Sequence, residues 1–155
     1  MIQLLPDFKE FLQSLNDYNV RYLLIGGYAV SHYGYVRPTG DIDVWVANDA
    51  INAKNIYQAM TAFGFSGIDE TTFTHPSQLV QMGIPPVRIE LATFIDGVEF
   101  EACYLKRQIE TLDGVSVSII SLEDLRVNKQ ASGRFKDLAD LEHLPVSIPD
   151  EKENS

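Results

Sequence analysis

One cysteine, Cys103, occurs in 155 residues. No internal disulfide framework is therefore available, and a reducing, cytoplasmic setting is expected. Histidine is scarce as well: His32, His75 and His143 are scattered without ligand spacing, so a structural zinc site is not expected beside a single thiol. No apolar run approaches the roughly 20 residues that a membrane-spanning helix needs. The segment Met1 to Glu10 carries Asp7 and Glu10 in place of a basic start and an apolar block, so it does not read as a secretory signal. Positive charge is in deficit, with 12 Lys and Arg against 22 Asp and Glu and a formal net charge of −10. A field of that sign repels nucleic acid and argues against a nonspecific duplex binder, while leaving room for a small basic pocket.

What is present suffices for one ordinary domain. Apolar residues make up 45% of the chain, enough for a core without staples. We expect residues 1–145 to form that domain and residues 146–155, with Asp150, Glu151 and Glu153, to be an acidic disordered tail.

Hydrophobic periodicity gives a coarse map. Phe8, Phe11, Leu12 and Leu15 mark one face of a helix after Pro6. Arg21 to Ile25 reads as a short strand, broken by Gly26-Gly27, with a helix from Tyr28 to Tyr33. Asp41 to Val46 alternates as a strand, and Asp49 is placed to cap a helix running to about Phe63. Gly64 to Pro86 is poor in pattern and suggests one short helix after Pro76. Val87 to Thr93 reads as a strand and Asp96-Gly97 as a turn. Asp113-Gly114 links Glu110 to Leu112 with Val115 to Ile120 as a hairpin. Ser121 and Asp124 open a helix to about Ala131, and a last helix spans Arg134 to Leu144. The alternation of elements makes this an α/β (α+β) chain.

The most informative stretch is Arg37-Pro38-Thr39-Gly40-Asp41-Ile42-Asp43-Val44-Trp45-Val46. On a strand, Asp41, Asp43 and Trp45 share one face, and Ile42, Val44 and Val46 share the other. Carboxylates two residues apart lie about 7 Å apart at Cα, near enough to converge on one divalent ion or on a pair. A core has no use for them, and adjacent like charges cost stability unless a cation neutralises them. Against this, an isolated Asp-x-Asp is commonly a pair of exposed strand-end residues. The context shifts the balance, because Gly26-Gly27 between a strand and a helix leaves backbone N–H groups open to phosphate oxygens.

Together, Gly26-Gly27 and Arg37-x-Thr39-x-Asp41-Ile42-Asp43 resemble the signature of the DNA polymerase beta-type nucleotidyltransferase superfamily. The glycine pair followed by an aromatic and Ala is similar to its small bacterial branches, which include aminoglycoside nucleotidyltransferases and proteins of toxin–antitoxin and abortive-infection systems. The resemblance implies the nucleotidyltransferase fold: a small mixed β-sheet flanked by helices, with a helical C-terminal segment. It also implies a third carboxylate on a later strand. Glu90, in Val87-Arg88-Ile89-Glu90-Leu91, matches that position, with Asp96 as competitor in a turn that already explains it.

Lys129, Arg134, Lys136, Asp137 and Asp140 resemble the helical segment whose basic side chains face the nucleotide. The plain alternative is an exposed helix with local ion pairs, Arg134 with Asp137 or Lys136 with Asp140, each worth tenths of a kcal/mol. Arg37 has two readings, a phosphate contact or a loop flank. Thr39 has two as well, a bond to the loop backbone or to substrate. Tyr28, Tyr33, Tyr35 and Trp45 are candidates to stack on a base, or else core and rim packing. The activity implied is transfer of a nucleoside monophosphate from an NTP to an acceptor hydroxyl, with Asp41, Asp43 and Glu90 holding two Mg²⁺ ions. Gly26, Gly27, Arg37, Thr39, Lys129 and Arg134 would contact the nucleotide. The acceptor would be tRNA, a protein or a small molecule, and a protein partner or homo-oligomer would complete the site. The competing reading is a catalytically weak binding module of the antitoxin type, which would be expected to have lost one of its acids.

Overall fold

The computed structural model describes residues 2–148. Most of the acidic tail foreseen from the sequence, residues 149–155, lies outside the described residues. The first helix, α1 (Pro6–Asp17), opens on a proline at its first turn and buries Phe8, Phe11, Leu12 and Leu15. It leads into β1 (Tyr22–Ile25), all four residues of which are buried. Helix α2 (Gly26–His32) follows without a gap. The glycine pair is thus the first turn of the helix and not a break before it. Gly26 adopts φ +67, which glycine tolerates at no steric cost.

Strand β2 (Asp41–Val46) and helix α3 (Ala50–Phe63) come next. Asp49 caps α3 by accepting from the Asn52 N–H at 3.0 Å. The helix stops at Gly64, in the left-handed region.

The segment 64–86 departs from expectation. No helix follows Pro76. A single 3-10 turn (Thr72–Thr74) precedes β3 (Leu79–Met82), which pairs antiparallel with β4 (Arg88–Ala92). The sequence reading also lacked α4 (Phe100–Leu105). The hairpin forms as expected from β5 (Gln108–Leu112) and β6 (Val115–Ile119). Helix α5 (Leu122–Ser132) begins at a Ser121 cap and ends at Gly133, and α6 (Phe135–His143) closes the described chain.

The six strands form one mixed sheet in the order β3-β4-β2-β1-β6-β5. β2 runs antiparallel to β1 and parallel to β4. Ile42, Val44 and Val46 are buried in the core with the apolar faces of α1 and α3. This leaves the opposite face of β2 and β4, at the Asp41 and Asp43 end, available for chemistry.

Candidate active site

The parallel pairing of β2 with β4 sets Asp43 directly across from Glu90, and Asp41 across from Arg88. Alternation along each strand turns Asp41, Asp43 and Glu90 to the same face. One oxygen from each carboxylate lies within 4.8 Å of one from each of the other two. All three side chains are half-buried. Desolvation, the hydrogen bond with Glu90 and the negative charges of Asp41 and Glu90 push the Asp43 carboxyl up to about 8. Glu90 is held from β3 by Gln81, whose Nε2 donates to Oε1 at 2.7 Å, and Arg88 stands 3.7 Å away. Asp96 lines the same cleft but is not one of the converging three. Its backbone carbonyl accepts from Asn128 Nδ2 at 2.9 Å, which ties the Asp96-Gly97 turn to α5.

The glycine pair abuts this cluster. A Cβ on Gly26 would collide with Oδ2 of Asp43, and one on Gly27 would lie 2.7 Å from Thr39 Oγ1. Only glycine lets the start of α2 approach the carboxylates so closely. The cleft has a volume of about 470 Å³, within the usual range for small-molecule sites. Gly26, Gly27 and Arg37 line it at the α2 side, Leu79, Phe94 and Ile95 at the β3–β4 side, and Lys129, Arg134 and Lys136 from the C-terminal helices.

The basic residues foreseen from sequence are arranged unequally. Lys129 is buried and bound to Asp137 at 2.8 Å and Asp140 at 3.1 Å. Arg37 makes a fork on Asp140, with Nε and Nη2 at 2.7 and 2.8 Å from its two oxygens. Asp137 also accepts from Arg134 Nε at 2.9 Å and from the Ser132 hydroxyl. Burial raises the Asp137 carboxyl, but bonds from Lys129, Ser132 and Arg134 outweigh it and hold the group down to about 2.

Arg134 keeps its side chain 78% exposed at the cleft. Lys136 is exposed there too, with no ion pair among the described residues, and its charge acts to lower Asp43. The sequence weighed Lys136 as a partner for Asp140, but Lys129 and Arg37 take that carboxylate instead. Thr39 donates to the backbone carbonyl of Asp41 at 3.0 Å, the first of its two readings.

The aromatic candidates do not form a stacking surface in the cleft. Trp45 is 2% exposed, donates to the Thr93 carbonyl and meets Phe100 of α4 edge-on at 5.2 Å. Tyr33 donates to the Ile120 carbonyl, and Tyr35 stacks on His143. Tyr28 packs edge-on against Phe8 and lines a separate cavity with Ser31 and His32. Alternation correctly assigned Trp45 a side of the sheet but could not reveal that α4 covers it.

Comparison with known proteins agrees with this architecture. The family model described as "Nucleotidyl transferase of unknown function (DUF2204)" matches residues 5–154. Among solved structures, the chain is similar to an antigenic nucleotidyltransferase-like protein from Paracoccidioides brasiliensis, at 23% identity and a TM-score of 0.57, covering 94% of this chain and 78% of that one. It is also similar to a candidate nucleotidyltransferase from Thermotoga maritima, at 16% identity and a TM-score of 0.56, covering 88% of this chain and 86% of that one. At such identities these two establish the fold alone. No curated protein matches the sequence. The family model spans almost the whole chain, and the protein therefore belongs to this family of nucleotidyl transferases of unknown function.

Proposed function

We propose that the protein transfers a nucleoside monophosphate from an NTP to an acceptor hydroxyl in a reaction that depends on divalent metal. The observation that carries this is the convergence of Asp41, Asp43 and Glu90 within 4.8 Å beside the glycine turn. Three hard oxygen donors on two rigid strands suit Mg²⁺. Burial first, and then the neighbouring Glu90 and Asp41, drive Asp43 up to about 8, and a cation would relieve that strain. Bound there, two Mg²⁺ ions would offset the charge of the triphosphate and acidify the acceptor hydroxyl.

The chain's own residues supply the rest. Asp41 and Asp43 would hold the metal from β2. Glu90, fixed by Gln81, adds a ligand from β4 or takes the proton of the attacking hydroxyl. A bond forms between the acceptor oxygen and the α-phosphorus, the bond from that phosphorus to the bridging oxygen breaks, and pyrophosphate leaves. Lys136 and Arg134 reach the phosphates from α6 and its cap. Lys129 and Arg37, already committed to Asp137 and Asp140, act by anchoring α6 over the cleft. Gly26 and Gly27 let phosphate oxygens approach the backbone. Positioning and electrostatics carry such a reaction, with little covalent participation by the protein.

The trio is complete, which favours this reading over a binding module that has lost an acid. The acceptor is a hydroxyl of a tRNA, a protein or a small molecule, and a partner chain or second copy is a natural supplier of acceptor contacts for so small a domain. The test is pyrophosphate release from each NTP with Mg²⁺ in the presence of candidate acceptors. Wild type should turn over, and Asp41→Asn and Asp43→Asn should each lose about 100-fold or more, as expected when the metal-held charge stabilisation is removed. Unchanged release from both variants would refute the assignment.

A further inference from the structure

Building on the proposed NTP reaction, we infer that Phe94, backed by Leu79 and Ile95, is the platform on which the nucleobase stacks. Charged residues and glycines make up most of the cleft's lining, and these three apolar side chains join it from β3 and from just past the end of β4. Phe94 is 57% exposed and Leu79 54%, a large uncovered area for residues of this kind. Phe94 lies four residues beyond Glu90, just past the end of β4, and Leu79 opens the neighbouring edge strand β3. The sheet therefore orders the site in sequence: glycine turn on β1–α2, the aspartate pair on β2, Glu90 on β4, and the apolar end beyond.

An NTP has a matching polarity. Its phosphates require cations and backbone N–H groups, which lie toward α2 and α6, and the base is its one flat, weakly solvated part. Among the described residues, no other aromatic side chain lines this cleft. The four aromatics that the sequence offered for stacking are spent in packing or face elsewhere, and Phe135, though more exposed, does not line the cleft. At this end Asn128 already donates one amide N–H to the Asp96 backbone carbonyl. Recognition that rests on stacking tolerates any base and favours the larger ring area, so purine nucleotides should bind above pyrimidine nucleotides.

The test compares the full chain with Phe94→Ala and Phe94→Trp by calorimetry, using Mg²⁺ with α,β-methylene ATP and, separately, with inorganic tripolyphosphate. Loss of one base–aromatic stack should weaken the ATP analogue about tenfold in Phe94→Ala. Tripolyphosphate binding should stay within about twofold, since no base is present to stack. Phe94→Trp should bind the ATP analogue at least as well as wild type, and its folded state is checked by its melting curve. The inference is overturned if Phe94→Ala binds the ATP analogue like wild type, or if it loses tripolyphosphate equally. A wild type that binds neither ligand would take down the proposed function together with this inference, an outcome distinct from both of these.

Discussion

Asp43 sits among two other carboxylates because the β2–β4 register and the strand period leave it no alternative. Its folded-state pKa, raised to about 8 from an ordinary 3.8, has a definite consequence for stability. A carboxyl that prefers to be protonated when folded contributes stability that is fully present below the unfolded value of 3.8. That contribution is lost as pH rises through the folded value near 8. In chelator, the protein should therefore lose stability between about pH 4 and pH 8 through this group, and Asp43→Asn should flatten that loss. At pH 8 without metal, thermal melting should show Asp43→Asn more stable than wild type by a few degrees, on the order of 2–4 °C per kcal/mol for a chain of this size. A variant that melts lower than wild type under those conditions would contradict the electrostatic account. Gly26 belongs to the same argument: its positive φ and its closeness to Asp43 leave no space for a side chain.

At the scale of elements, α6 is attached through charge as much as through packing. Lys129 of α5 is 5% exposed and bridges two aspartates of α6, one of which also holds Arg37 from the loop before β2. Removing one member of a buried ionic cluster leaves its partners uncompensated, which typically costs about 3–5 kcal/mol. Lys129→Met should lower the denaturant midpoint by a corresponding amount, with activity measured at low temperature reduced as α6 loosens. A shift of under about 1 kcal/mol, typical of an exposed pair, would show that the cluster is open to solvent instead.

How far the elements were legible in sequence follows from their length and pattern. β2 and β4 were readable because two-residue alternation of Asp with Ile and Val, and of Arg and Glu with Ile and Leu, specifies both strand and face. α3 and α5 announced themselves through side-chain caps. β3 is four residues long and lies among glycines, prolines and hydroxyl residues, and α4 is six residues long with only Phe100 and Cys103 buried. Elements so short carry too little periodicity to register. Those same two elements shape the site, since Phe100 of α4 packs on Trp45 and β3 brings Leu79 to the cleft and Gln81 to Glu90. The acids of the candidate site were thus visible in the chain, while its apolar end and its clamped cations depended on long-range packing.

Across the whole molecule, Asp43 and Asp137 titrate in opposite directions. Asp137, held down to about 2, contributes stability that is present above the ordinary carboxyl range and is lost as pH falls toward 2. Asp43 weakens the fold from the other side as pH rises. Asp137 is neutralised by Lys129 and Arg134, whereas Lys136 only partly offsets the rise at Asp43. Three acids converge in the cleft of a chain with a net charge of −10, and the proposed function has a cation from solution offset them. The most direct measurement is Mn²⁺ binding to the full chain at pH 7.5 by electron paramagnetic resonance, comparing wild type with the double variant Asp41→Asn, Asp43→Asn. Wild type should bind Mn²⁺ saturably, and the double variant, folded and melting no lower than wild type in chelator, should not. Equal binding by the two proteins, or none by wild type, would contradict the account.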